Sequence, residues 1–326
     1  MQPIKLGIIG CGIAANDLHW PALRQMQDKF KITMVCNHTE QKAKAFAKVV
    51  GNVPYVLDYN DLLGSDDVEA VDIILPIHLN FQAVQDTLKS GKHFIVEKPL
   101  AANLDEADEL IELQKKFSQV KMLGENFYYH PVFIKVKEYL LQNLIGRVYS
   151  FFWDIFRCLD FSNKYLQTQW RIKHKYPGGF VLDGGIHNIA AIKMLFGDIV
   201  AGCSFVKKIN PQIGEMDTFS FQLKTENDVG GVLNIFNSAK AYSQNRLLVL
   251  GENGSIVVDE GSEILVYKEN KLIIQEVIQD DSFKREFDDF YDAIRNNKKP
   301  FSTLERGHSD LRTMLNAFES ALPKLK

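Results

Sequence analysis

No two of the four cysteines (Cys11, Cys36, Cys158, Cys203) stand at a C-x-x-C or other paired spacing, which argues against a disulfide scaffold or a structural zinc site. They read as small buried hydrophobes in a reducing compartment, and no metal is expected. Long hydrophobic runs are missing as well: nothing approaches the roughly 18 to 20 apolar residues of a transmembrane helix. Repeats, low-complexity segments and flexible linkers are not seen. Charge of one sign is also lacking, since the net charge is −3 with both signs interspersed. Neither nucleic acid nor an anionic membrane is therefore expected as a partner. Lys5 ahead of an apolar run imitates the outline of a signal peptide. Gly7, Gly10 and Gly12 interrupt that run, however, and Lys5 is the only positive charge before it, so a cytoplasmic location is expected.

What is present suits a soluble chain of 326 residues, long enough for two ordinary domains. Residues 5–9 read as a buried strand. Gly10-Cys11-Gly12-Ile13-Ala14-Ala15 then fits G-x-G-x-x-A, with a helix expected from it through Leu23 and Met26. In such a unit Gly10 permits the tight turn, Gly12 lets backbone approach a pyrophosphate, and Ala15 lets helix and strand pack closely. Ile13 and Ala14 open the helix whose N–H groups face the anion. Strands are expected at 31–36, 53–56, 71–75, 94–96 and 120–123. Helices at 39–50, 59–63, 81–90 and from about Asn103 or Asp105 to Phe117 alternate with them. This βαβ series predicts an α/β doubly wound parallel sheet, a Rossmann NAD(P)-binding domain over residues 1–123. Pro99 stops the strand 94–96, so Glu97 and Lys98 sit at its carboxyl end, where open α/β sheets bind ligands.

After Gly124 the pattern changes. A helix at 132–142 precedes strand-like runs at 148–156, 200–206, 218–223, 231–236, 246–250, 255–258, 264–267 and 271–278, with helices at 282–295 and 304–321. This predicts an α+β domain over residues 124–326 built on a large, mostly antiparallel sheet. The run 148–156 is bulky on both faces, and an exposed face bearing Phe151, Trp153 or their neighbours would favour self-association. In Gly178-Gly179-Phe180-Val181-Leu182-Asp183-Gly184-Gly185-Ile186-His187, a helix starting near Gly179 puts Asp183 and His187 on one face. Histidine exchanges a proton near neutral pH, and a nearby carboxylate fixes its tautomer or raises its pKa. Lys98 meets the same need, or polarises an oxygen electrostatically. The plainer alternative is a turn-capping Asp183 and a satisfied core His187.

The glycine fingerprint, Glu97-Lys98-Pro99 and the Gly-Gly-x-x-x-Asp-x-Gly-x-His pattern together resemble the Gfo/Idh/MocA oxidoreductases, named for glucose-fructose oxidoreductase and inositol dehydrogenase. The likeness runs over nearly the whole chain. It includes Gly124-Glu125-Asn126-Phe127, Trp170-Arg171, Gly251-x-x-Gly254-Ser255 and the ending 287–293. It implies a Rossmann domain plus an open-faced sheet domain that uses NAD or NADP to oxidise or reduce sugars, cyclitols and related carbonyl compounds. Lys98, Asp183 and His187 would be the catalytic group, with a cis bond before Pro99. The cofactor would contact the fingerprint (Gly10, Gly12, Ile13, Ala14, Ala15), Asn37, His38, Thr39, Leu75, Pro76, Glu97, Lys98 and Asn126. Substrate would lie between the domains against Lys98, Trp170, Arg171, His174, Asp183 and His187. Homodimers or homotetramers would form through the C-terminal sheet.

One departure is visible: where many members carry T-P-N-x-x-H, this chain has Leu75-Pro76-Ile77-His78-Leu79-Asn80. His19, His93, His130 and His308 read as structural. Two other outcomes exist on such a scaffold, a non-catalytic dinucleotide-sensing regulator and an NAD-dependent glycosidase. The second strand ends Met34-Val35-Cys36 and is followed by Asn37-His38-Thr39, without the Asp or Glu that repels a 2′-phosphate. NADP is therefore expected over NAD.

Overall fold

Short β-branched runs alternating with amphipathic helices assemble as the sequence order requires. The computed structural model describes residues 2–160 and 162–321. Its first sheet contains β1 (Ile4–Ile9), β2 (Phe30–Cys36), β3 (Tyr55–Val56), β4 (Ala70–Ile73), β5 (His93–Glu97) and β6 (Lys121–Gly124). All pairs are parallel, in the order β3-β2-β1-β4-β5-β6. The order reverses between β1 and β4, and in a sheet of this kind ligands bind outside the carboxyl ends at that switch point. Asn103 starts the helix Leu104–Gln114 by accepting from the Glu106 N–H at 2.9 Å, while Glu106 accepts from Ala102 N–H at 3.1 Å. The first bond satisfies one of the helix's orphan donors, and the second ties the residue before the cap to the first turn.

The helix after the glycine loop departs from expectation. It runs as a π-helical turn over Ala15–His19, continues as an α-helix over Trp20–Leu23, and stops before Met26. Pro21 lacks the N–H that an α-helix would direct at Asp17, so the ladder cannot pass through it unchanged.

The second sheet contains β7 (Val148–Phe156), β8 (Ile199–Lys207), β9 (Thr218–Thr225), β10 (Gly230–Phe236), β11 (Gln244–Gly251), β12 (Gly254–Asp259), β13 (Glu263–Lys268) and β14 (Lys271–Val277). Their order is β14-β13-β12-β11-β7-β10-β9-β8, antiparallel except for the parallel β7–β10 pair. Phe151 and Trp153 face inward. Phe151 stacks on Phe196 of the helix Gly179–Phe196 at 4.6 Å, and Trp153 meets Phe133 of the helix Pro131–Leu141 at 5.3 Å. Their neighbour Phe152 points the other way and is 42% exposed. The strand is thus bulky on both faces, and its solvent face carries Phe152.

By internal packing the chain forms two units. One unit comprises the chain to Asn126 together with Asp281–Leu311; the other comprises Phe127–Asp280 and the chain from Arg312. The helix Ser282–Arg295 explains the return. Its Phe287 and Phe290 are fully buried against Phe30 of β2, with ring centroids 5.7 and 6.3 Å away, and Arg295 bonds Glu69. An amphipathic pattern declares that a helix buries one face, but not against which sheet. The cysteines also differ in part: Cys11 and Cys36 are buried, with burial pushing both thiols up to about 12, while Cys158 is exposed and Cys203 half-buried. Among the described residues no helix is long and apolar enough to cross a membrane.

Candidate functional site

At the carboxyl ends of β1, β2 and β4 the glycine loop is shaped by its neighbours. Gly10 has φ +105°, and a Cβ there would lie 2.1 Å from the Ile74 carbonyl oxygen. Only glycine fits that turn. A Cβ on Gly12 would meet nothing within 4 Å, so its backbone is open to an approaching phosphate. Ala15 is fully buried, and Ile13 and Ala14 are partly exposed at the start of the helix. Beside the loop lies a cavity of about 410 Å³ lined by Gly10, Asn37, His38, Leu57, Asp58 and Leu75, among others. Its apolar walls and few polar groups suit the adenosine half of a dinucleotide.

Asn37 is already engaged there. Its Oδ1 accepts from Cys11 N–H and its Nδ2 donates to the Thr39 carbonyl, both at 3.2 Å. The carboxamide therefore ties the end of β2 to the glycine loop. His38 is exposed and Thr39 half-buried. The carboxylate that sequence reasoning missed is Asp58, which accepts from both Asn60 N–H and Asn60 Nδ2 at 2.9 Å as a helix cap. Leu75 lines the cavity, Pro76 precedes the short helix Ile77–Leu79, and Asn126 is buried with its Nδ2 donating to Ser282 Oγ at 3.0 Å.

Lys98 follows β5 directly, and the Lys98–Pro99 peptide is cis. The turn is clamped by Asn80, the residue at the departing motif position. Its fully buried Nδ2 donates to the carbonyls of Glu97 and Pro99, on either side of Lys98, at 2.9 Å each. Glu97 is fixed in turn by His19, whose Nε2 meets Glu97 Oε1 and whose Nδ1 meets Asp72 Oδ2, both at 2.8 Å. Burial disfavours the imidazolium of His19, but Asp72 and Glu97 outweigh it and hold its pKa well above the ordinary value. Glu286, fully buried with neither carboxyl oxygen hydrogen-bonded, is pushed well above the usual carboxylate range by burial and by Glu97, against the attraction of His19. The ion cluster supporting Lys98 thus includes a carboxyl group that favours its protonated form. His19 is structural as expected, yet it acts on the motif that carries the lysine.

In the other unit, Gly178 (φ +79°) opens the helix Gly179–Phe196, and a Cβ there would strike the Phe318 ring at 2.3 Å. Asp183 and His187 stand one turn apart on this helix. Asp183 accepts from Arg171 Nε at 2.7 Å, and the guanidinium lies over Trp170 at 4.0 Å and Tyr165 at 4.8 Å. His187 stacks on Phe127, with centroids 4.7 Å apart and an interplanar angle of 24°. It lines a cavity of about 450 Å³ together with Phe127, His130, Arg157, Asn188 and Asn245. His174 is held differently: Nδ1 meets the Tyr176 carbonyl at 2.8 Å and Nε2 accepts from Glu215 N–H at 3.4 Å. Both ring nitrogens serve backbone groups, and neither His174 nor Trp170 is among the residues lining the cavity.

Arg157, His130, Asn188 and Asn245 were missed from sequence. For Arg157 a signal existed, because Trp153, Ile155 and Arg157 follow the two-residue alternation of β7 onto one face, and all three line the cavity. His130, expected to be structural, lines it too, with Nε2 3.7 Å from Asp280.

The profile of an oxidoreductase family with an NAD-binding Rossmann fold, Gfo/Idh/MocA, matches residues 4–125, and that of the family's C-terminal alpha/beta domain matches residues 137–324. An uncharacterized protein of Saccharomyces cerevisiae, YMR315W, is 34% identical over 79% of this chain and 75% of its own. A crystal structure of an oxidoreductase from Thermotoga maritima superposes with a TM-score of 0.92 at 34% identity, covering 98% of this chain and 96% of that one. A D-xylose 1-dehydrogenase [NADP(+)] of Haloarcula marismortui is 22% identical over 98% of this chain and 91% of its own.

Proposed function

Because the chain belongs to the Gfo/Idh/MocA oxidoreductase family, we propose that it interconverts a hydroxyl and a carbonyl group on a sugar, cyclitol or related compound with NADP(H) or NAD(H). The observation that carries this reading is the turn holding Lys98, which Asn80 braces from both sides at the carboxyl edge of the sheet that bears the glycine loop. A bound nicotinamide supplies or accepts the hydride. In the oxidative direction the carbon loses hydride while its hydroxyl loses a proton, and the C–O bond becomes a carbonyl. His187 takes that proton, and Lys98 donates a hydrogen bond to the oxygen as negative charge develops. Asp183, held by Arg171, orients the proton-transfer group. In reduction the same groups act in reverse.

NADP(H) is the favoured cofactor in this reading. Asn37 brings no charge to the end of β2, and His38 at the cavity is suited to donate to phosphate oxygens when protonated, while the nearest carboxylate, Asp58, caps a helix through Oδ1. The open face of the second sheet, with Phe152 and Phe205 exposed, is assigned to association with further copies of this chain. The test of function is a panel of polyols, aldoses and keto-sugars with each cofactor, read by absorbance of the reduced nicotinamide. Turnover with at least one sugar-like compound supports the reading. A cofactor that binds without turnover, or sugar release without net cofactor change, would replace it by the sensor or glycosidase alternative.

A further inference from the structure

Arg157 stands directly after β7 and is pinned at three points. Its backbone N–H donates to the Phe236 carbonyl at 2.9 Å, its carbonyl accepts from Ala239 N–H at 3.1 Å, and its Nε donates to Asn237 Oδ1 at 2.8 Å. Asn237 is itself fully buried. Gly184 marks where the guanidinium lies, since an added Cβ there would come within 3.4 Å of Arg157 Nη2. The guanidinium therefore lies against the turn of helix between Asp183 and His187, exposed to the cavity that His187 also lines.

Although Arg157 keeps solvent-accessible surface at the cavity, the protein around it displaces water and lowers its pKa, and the carboxylate that opposes this is Asp183. Asp183 is already bonded to Arg171 Nε at 2.7 Å. Two guanidinium groups thus face one carboxylate. Among the described residues Arg157 forms no salt bridge, and Nε is its only hydrogen-bonding side-chain atom. The cavity's two acids lie elsewhere on its lining: Asp280 is 3.7 Å from His130, and Glu260 accepts from the Asn245 N–H at 3.3 Å. Fixing Nε leaves the two terminal nitrogens as a planar fork, the geometry that receives a carboxylate or phosphate through two parallel hydrogen bonds. A neutral hydroxyl would engage only part of that fork.

We infer that the substrate of this site carries an oxyanion, a carboxylate or a phosphate, and that Arg157 binds it. This rests on the sugar oxidoreductase reading and narrows its substrates to acidic sugars. Bound at Arg157, such a group anchors the substrate on the same helix turn that carries His187.

The inference is tested by calorimetric titration of the protein with saturating NADP+, using D-glucuronate, D-galacturonate, D-glucose 6-phosphate and D-galactose 6-phosphate against D-glucose and D-galactose. At least one acid is expected to bind about 10- to 100-fold more tightly than its neutral parent, the range of a charge-assisted hydrogen-bond pair. Uronates and phosphates form separate arms that distinguish the two anions. Arg157→Gln should bring the preferred acid down to the level of its parent. Arg157→Lys, which keeps the charge without the fork, should retain part of the preference and decides the matter if the glutamine variant does not fold. Equal binding of acids and parents, no binding of any acid, or a preference unchanged in a folded Arg157 variant would overturn the assignment. Nicotinamide absorbance is followed on the same samples with a neutral sugar and polyol panel. Absence of turnover throughout faults the oxidoreductase reading, whereas loss of the acid preference alone faults only the role of Arg157.

Discussion

Asn80 shows how much one carboxamide can fix. With no exposed surface, it spans the carbonyls on both sides of Lys98. Asn80→Ala is expected to leave the buried Pro99 acceptor unmet, at about 1–3 kcal/mol, and to cost less at the half-buried Glu97 carbonyl. Turnover should fall by more than cofactor affinity, because the lysine turn loosens while the glycine loop does not. Thermal unfolding together with kcat and cofactor Kd checks both parts; an unchanged kcat in a folded variant would show that Lys98 needs no such brace. At Gly10, alanine would put a Cβ 2.1 Å from a backbone oxygen at φ +105°, so Gly10→Ala should abolish dinucleotide binding or folding. Fluorescence titration with NADPH measures the loss. These two positions differ in legibility. A glycine in G-x-G announces a backbone need, whereas Asn80 looks in the sequence like a lapse from T-P-N-x-x-H. Its value comes from two carbonyls 17 and 19 residues away, which no local pattern reveals.

At the scale of elements, the helix Ser282–Arg295 carries Glu286 into the charge cluster of His19, Asp72 and Glu97. Glu286 has a native pKa raised above its unfolded value near 4.5, so the native state binds its proton more tightly. Its contribution is therefore lost as pH climbs through the native value. His19, raised above 6.5, has the same sign: its stabilisation is complete below that pH and disappears as pH rises through its native pKa. The unfolding temperature should accordingly decline from neutral toward alkaline pH. Glu286→Gln should flatten the decline and raise the midpoint at pH 8.5 by about 2–4 °C, as a change near 1 kcal/mol does in a domain of this size. A scan of unfolding from pH 5.5 to 9 that is flat, or equally steep in the variant, would contradict this. The sequence made the strand and helix pattern legible because periodicity is local. The return of this helix to the first sheet was not, since Phe287 and Phe290 meet Phe30 across more than 250 residues of chain. The π-turn at Ala15–His19 was hidden for a different reason: Pro21 acts on a ladder that the fingerprint alone leads one to draw as α-helical.

For the whole molecule, the candidate groups fall in two units. One has the cavity beside the glycine loop and Lys98, and the other has the Asp183–Arg171 pair, His187 and Arg157. Cofactor choice belongs at this scale because it depends on the end of β2 as the whole cavity presents it. NADP(H) should give the higher kcat/KM, and Asn37→Asp should shift the ratio toward NAD(H) by placing a carboxylate where a 2′-phosphate would sit. A native preference for NAD(H) would show that the missing carboxylate does not govern selection here. The measurement that bears most directly on the proposed chemistry compares wild type with Lys98→Met and His187→Gln in a single preparation, recording NADPH affinity by fluorescence and turnover by absorbance. Cofactor affinity within about threefold of wild type, with kcat lowered roughly 10²- to 10⁴-fold in each variant, is the expected result for groups that move a proton and stabilise a developing alkoxide. Undiminished kcat in both folded variants would contradict it.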